Sequence, residues 1–173
     1  MMRQSGKEKL SSLVAGLLLA AVLSHSGTIA DEITGLTRQI VVNPLTGVAL
    51  DGFDPVSYFT ETEPQPGSAD LEYVWAGVPW YFASAANRDI FIHAPEIYAP
   101  QYGGYGATAL SRGFLSDGNP RIYEVFSNRL YLFYSSGDRQ AFDAARLPVI
   151  GRADEQWAKL APSLAGDLVL AAN

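Results

Sequence analysis

The chain has 173 residues, 18 acidic against 12 basic side chains, a formal net charge of −6 and no cysteine. The acidity argues against a nucleic-acid partner, which needs a basic face. The absence of thiols excludes disulfide cross-links and thiolate metal sites, so packing must carry the stability of the fold.

Taken from the start, Arg3, Lys7 and Lys9 precede an apolar run from Leu13 to Leu23, and Thr28-Ile29-Ala30 follows. That order predicts a secretory signal peptide over residues 1–30. The apolar run is shorter than the roughly 20 residues a membrane span needs. The expectation is therefore a periplasmic or secreted protein with no membrane span after cleavage, and more acidic once cleaved, because three cations leave with the signal. Residues 31–42 read as a flexible lead-in, 43–160 as the folded domain and 161–173 as a C-terminal tail.

Ile40-Val41-Val42 and Val48-Ala49-Leu50 flank a Pro/Gly turn and predict a short hairpin. Asp54-Pro55 suits a helix start, with Asp as N-cap and Pro at the first helical position. Thr60 to Ala69 is rich in Glu, Pro, Gly and Ser and reads as a loop. Leu71 to Ala83 alternates aromatic and other residues about Ala76-Gly77-Val78-Pro79, a second hairpin. Ser84 caps an expected helix that ends at His93 or Ala94, before Pro95. Pro95 to Gly106 is dense in turns and tyrosines, and Ala107 to Arg112 makes one or two helical turns ended by Gly113. Ile122 to Phe126 and Arg129 to Tyr134 predict a further hairpin about Ser127-Asn128. Ser136 is expected to cap the next helix, Pro148 to interrupt, and Arg152 to Leu160 to form a last helix with Trp157 inward. No internal repeat stands out. The pattern is α+β: a small single domain with two or three β-hairpins and several short helices.

Three segments carry a resemblance: Gly52-Phe53-Asp54-Pro55-Val56-Ser57-Tyr58-Phe59, Trp80 to Asp89, and Tyr98-Ala99-Pro100-Gln101-Tyr102-Gly103-Gly104-Tyr105. Together with Leu130 to Tyr134 and the helix around Trp157, they resemble the short exported bacterial YHS-domain proteins from about Asn43 to Trp157. The resemblance implies a small domain of a kind elsewhere associated with metal binding or delivery. Relatives of that type commonly carry cysteine where this chain has Gly106, Asp where it has Asn119 and Trp where it has Tyr123.

Candidate chemistry is sparse. The only imidazole after the signal is His93, which shares a helix face with Asp89 four residues away, a two-ligand metal site at best. Asp54 sits in a strongly shaped turn near Tyr58 and is a possible acid–base group, although helix capping uses the same oxygens. Arg88 is a possible anion contact. Gln101, Tyr102 and Tyr105 beside Gly103-Gly104 form a possible ligand cradle, and Gly106 would widen it relative to a cysteine. The competing reading is a loop pinned over the core by aromatic rings. No cofactor motif is present. The expectation is a non-enzymatic binding domain for a small ligand or an envelope protein. The alternatives are metal handling by carboxylate, tyrosine and His93 ligands, or an enzyme built on Asp54 and the tyrosine loop.

Overall fold

The computed structural model describes residues 39–170. The expected signal peptide over residues 1–30, most of the expected lead-in and the last three residues lie outside them. In chain order the elements are a 3-10 turn at Leu50–Gly52, α1 (Ser57–Thr60), β1 (Ser68–Trp75), β2 (Val78–Phe82), α2 (Ala85–His93) and α3 (Pro95–Tyr98). A second 3-10 turn at Gln101–Gly104 follows, then α4 (Ala107–Ser111), β3 (Asn119–Phe126), β4 (Arg129–Phe133), α5 (Ser136–Ala144) and α6 (Arg146–Leu170). The two sheets are separate antiparallel hairpins, β1 with β2 and β3 with β4. The fold is α+β.

That order is one motif used twice, which corrects the expectation of no internal repeat. The 3-10 turn opening each copy takes three successive left-handed residues: Leu50, Asp51 and Gly52 at φ 53°, 51° and 83°, and Tyr102, Gly103 and Gly104 at 57°, 63° and 94°. The Gly67 amide donates to Gly52 O at 2.8 Å, as Gly118 does to Gly104 O at 3.0 Å. The Asp54 amide donates to Gln65 O, as Gly106 does to Ser116 O. In the hairpins Glu72 opposes Tyr81 and Trp75 opposes Val78, while Tyr123 opposes Leu132 and Phe126 opposes Arg129, a constant offset of 51 positions. Even the break in register recurs, after Ser68 in one strand and Asn119 in the other.

Both hairpins close through a two-residue turn with positive φ at each residue, Ala76-Gly77 and Ser127-Asn128, whose twist matches that of the strands. Ser84 then caps α2 by accepting from the Asn87 amide. Ser135, not Ser136, caps α5 in the same way, through the Asp138 amide. The two helices end on matching residues, Ala94 and Ala145, both at φ −152°. Phe91 and Phe142 occupy equivalent places on them, and both are fully buried.

The copies diverge after that helix. In the first, α3 lasts one turn before Pro100. In the second, Pro148 falls in the first turn of α6, where a missing N–H costs nothing. The helix therefore starts at Arg146 rather than Arg152 and runs through the expected tail to Leu170, with Pro162 inside it. The Gln39–Leu50 hairpin reduces to a turn with one bridge, Val42 to Ala49. Ile40 is buried and the Val41 amide donates to Gly103 O at 2.8 Å, so the packed chain already includes these residues.

Each copy has its own core. The first gathers Trp80, Phe82 and Phe91, and the second Tyr131, Phe133 and Phe142. Strand β4 is the wall between them: Leu130 and Leu132 point into the first core, and Tyr131 and Phe133 into the second. Burial on both faces explains its unbroken apolar sequence.

Candidate functional site

Asp54 follows the first 3-10 turn and is completely buried. Its Oδ1 accepts the Val56 amide at 2.8 Å, the expected capping bond. Its Oδ2 does something the sequence did not suggest: it accepts the Ala83 amide at 2.9 Å and Asn87 Nδ2 at 2.7 Å. The carboxyl group therefore ties the start of α1 to the end of β2 and to α2. Ser57 completes the network, its hydroxyl donating to Asp54 O at 2.6 Å and accepting the Gln65 amide at 2.9 Å. In the second copy Gly106 occupies the position of Asp54. There the tie is made by the Thr108 hydroxyl, which donates to Asp138 O at 2.8 Å. The two copies join the same elements with different chemistry.

The tyrosines are core residues with engaged hydroxyls. Tyr58 donates to Pro120 O at 2.9 Å and meets Tyr123 edge-to-face at 4.9 Å, so it links the two copies. Tyr102 donates to the Asp154 carboxylate on α6 at 2.9 Å, and Trp157 packs against both Tyr102 and Tyr105. Burial raises all of them above the usual phenol value. Tyr58 is raised further by Tyr123 and Asp51, and Tyr102 by its bond to Asp154. Tyr105 is pushed up to about 12, by burial first and Asp117 second. Because folding favours the neutral phenols, the stability they supply is fully present below pH 10 and is lost as pH climbs through the raised folded values. The melting temperature is accordingly expected to fall above about pH 10. The tyrosinate absorbance of the buried rings should appear together with loss of the near-ultraviolet circular dichroism. Ionisation of all nine tyrosines at pH 10 with the dichroism intact would contradict this.

The remaining candidates are dispersed. Gln101 is half-buried at the start of the second 3-10 turn. Arg88 is half-buried on α2 and has no carboxylate partner among the described residues, whereas its counterpart Arg139 pairs with Glu124 at 3.1 Å. A Cβ at Gly106 would lie 3.3 Å from Tyr134 N and 3.5 Å from Ser116 O. The space beside Gly106 is thus filled by main chain rather than opened into a cradle. Exposed His93 places Nδ1 2.7 Å from the main-chain oxygen of Asp89, not from its carboxylate. Among the described residues no three His, Cys, Asp or Glu side chains are grouped to hold an ion.

A cleft does open between the copies, bordered by Asn43, Asp51, Trp80, Gly104 and Pro120, with a volume of about 20 Å³. Asn43 Nδ2 donates to Asp51 Oδ1 at 3.0 Å on its rim. None of the seven ligand candidates lines it. A space of that size holds a single water molecule, far below the several hundred Å³ of an organic-ligand pocket.

Sequence reasoning missed the Asp54–Ala83–Asn87 tie and the duplication that frames it. One signal for the duplication was present: Phe82, Ser84, Arg88, Phe91 and Ala94 recur as Phe133, Ser135, Arg139, Phe142 and Ala145. Comparison with protein-family models, curated proteins and solved structures finds no match to this chain. No helix among the described residues is long and apolar enough to cross a membrane.

Proposed function

We propose that this chain is an exported, YHS-like domain of the bacterial envelope that acts by binding rather than catalysis, and that it binds a protein. The motifs around Asp54, Trp80 to Asp89 and Tyr98 to Tyr105 support the family and compartment. The choice of a protein over a small ligand rests on one observation: the cleft between the copies has room for about one water, while the Asp54, Tyr58 and Tyr102 side chains are spent on internal bonds. A binding function then falls to the surface, where large apolar side chains such as Val74, Phe114, Tyr134 and Leu147 stand exposed.

The test is cross-linking of the exported protein in intact cells, followed by reciprocal purification. One defined partner recovered from both directions is the expected result. A small metabolite that raises the melting temperature of the purified domain, with an affinity that Tyr102→Ala removes, would replace this reading by the small-ligand one.

A further inference from the structure

The two copies share a backbone plan, so each shows what the other's fold does not require. Their charge differs sharply. Residues 40–100 carry eight acidic side chains and one basic side chain, Arg88, whereas residues 101–164 carry six acidic and seven basic. The difference extends to the outer strand of each hairpin. In β3, Glu124 is held by Arg139 and Arg146, Tyr123 meets Tyr58 edge-to-face, and Val125 packs on the first core. In β1, Asp70 and Glu72 are exposed with no ion-pair partner among the described residues, and Val74 is 57% exposed.

The main chain of β1 is open as well. Trp75 and Val78 flank a two-residue turn, so they form the closing hydrogen-bonded pair, and antiparallel pairing alternates from there. Glu72 and Val74 must then turn their N–H and C=O groups away from β2. Pro79, opposite Val74, confirms the phase: its carbonyl also faces away from the hairpin and accepts the Ala49 amide at 3.0 Å. No segment among the described residues does the same for β1. Glu72 and Val74 also share one side-chain face, two residues apart.

We infer that the outer edge of β1 is a docking site for an extended, basic peptide segment of a protein partner, added to the hairpin as a third strand. An open edge supplies main-chain bonds to any extended chain, and side-chain alternation supplies selectivity. Here the alternation asks for Lys or Arg opposite Glu72 and an apolar residue opposite Val74. A second copy of this chain suits the edge poorly, since antiparallel β1 strands would bring two sets of unpaired Asp70 and Glu72 carboxylates together. The inference rests on the protein-binding reading and names its surface and its partner's chemistry.

The probe is a short peptide that repeats Lys-Thr-Val-Thr, so that Lys and Val fall on one face two residues apart, compared with its Glu-Thr-Val-Thr counterpart and titrated into the isotope-labelled domain. The expected result is binding of the basic peptide alone, weakening as salt is added, with shifts centred on the amides of Glu72 and Val74. Val74→Pro removes an outward N–H without breaking a hairpin bond and should weaken binding about tenfold. Glu72→Lys, an exposed change that leaves the fold alone, should weaken it comparably and flatten the salt dependence. Equal binding of the acidic peptide, shifts centred on the second copy, or full affinity in both variants would overturn the assignment to this edge. Peptide binding as described with no partner found in cells would leave the edge competent and remove the proposed cellular role instead.

Discussion

Asp54→Asn is expected to destabilise the protein by roughly 2–4 kcal/mol, read as a lower urea midpoint at unchanged slope. The substitution keeps shape and volume. If Asp54 were only a helix cap the cost would be near zero, because Asn caps as well as Asp does. The structure gives the residue a second duty. Both oxygens of this fully buried carboxyl group accept: one from Val56 in a buried bond, the other from Ala83 and Asn87 in part-buried ones. An amide can supply one acceptor, so its NH2 must face either the Val56 N–H or the Ala83 N–H and Asn87 together. Asn87 can rotate its own amide to offer an oxygen, but the Ala83 main-chain N–H has no such freedom. At least one donor aimed at the buried carboxyl group is stranded, and a stranded donor costs about 1–3 kcal/mol beyond the lost bond. A loss within about 0.5 kcal/mol of zero would reduce Asp54 to a cap.

Why this duty was illegible in the sequence is instructive. Asp54-Pro55 announces a helix start from local chemistry alone, and the start is there. The partners Ala83 and Asn87 lie 29 and 33 residues away, and nothing in either marks it as a donor to a buried carboxyl group. The hairpins were legible because aromatic alternation and tight turns are local signals; both lie where Leu71 to Ala83 and Ile122 to Tyr134 placed them, although the first turn is Ala76-Gly77 alone and Val78 and Pro79 already belong to β2. The duplication was hidden because its copies bury their cores with different residues: Trp80 against Tyr131, Trp75 against Phe126 and Tyr58 against Leu110. Outside the Phe, Ser, Arg, Phe and Ala of the hairpin–helix junction, the aligned residues that kept their identity are scattered singly, as Gly52 and Gly104, Gly67 and Gly118, and Val74 and Val125. The tyrosine run from Tyr98 to Tyr105 was read both as a possible cradle and as a pinned loop. Its hydroxyl and ring contacts to Asp154 and Trp157 belong to a helix whose start the sequence placed six residues late, because Pro148 was taken for a break rather than a first-turn residue.

Gly103 is where the paired copies yield the sharpest expectation, a loss of roughly 3–5 kcal/mol for Gly103→Ala. The equivalent position in the first copy is Asp51, at nearly the same left-handed φ, so backbone conformation alone does not demand glycine. What demands it is the chain passing overhead: a Cβ on Gly103 would lie 1.7 Å from Gln39 O and 2.8 Å from Gln39 C. Main-chain atoms cannot rotate aside. Residues 39–41 must lift, which breaks the bond from the Val41 amide to Gly103 O and exposes Ile40. Lost apolar burial of about 1.5–3 kcal/mol, a net hydrogen bond of about 1 and left-handed strain of about 1–2 combine to the stated range once relaxation is allowed. Gly77→Ala is the matched control, with φ of +77° and nothing within 4 Å of its Cβ, so it carries only the strain, about 1 kcal/mol. Equal midpoints for the two variants would mean that residues 39–41 do not bear on Gly103 in solution. A large gap, with the Ile40 and Val41 amides losing hydrogen-exchange protection in Gly103→Ala alone, is the result this packing requires.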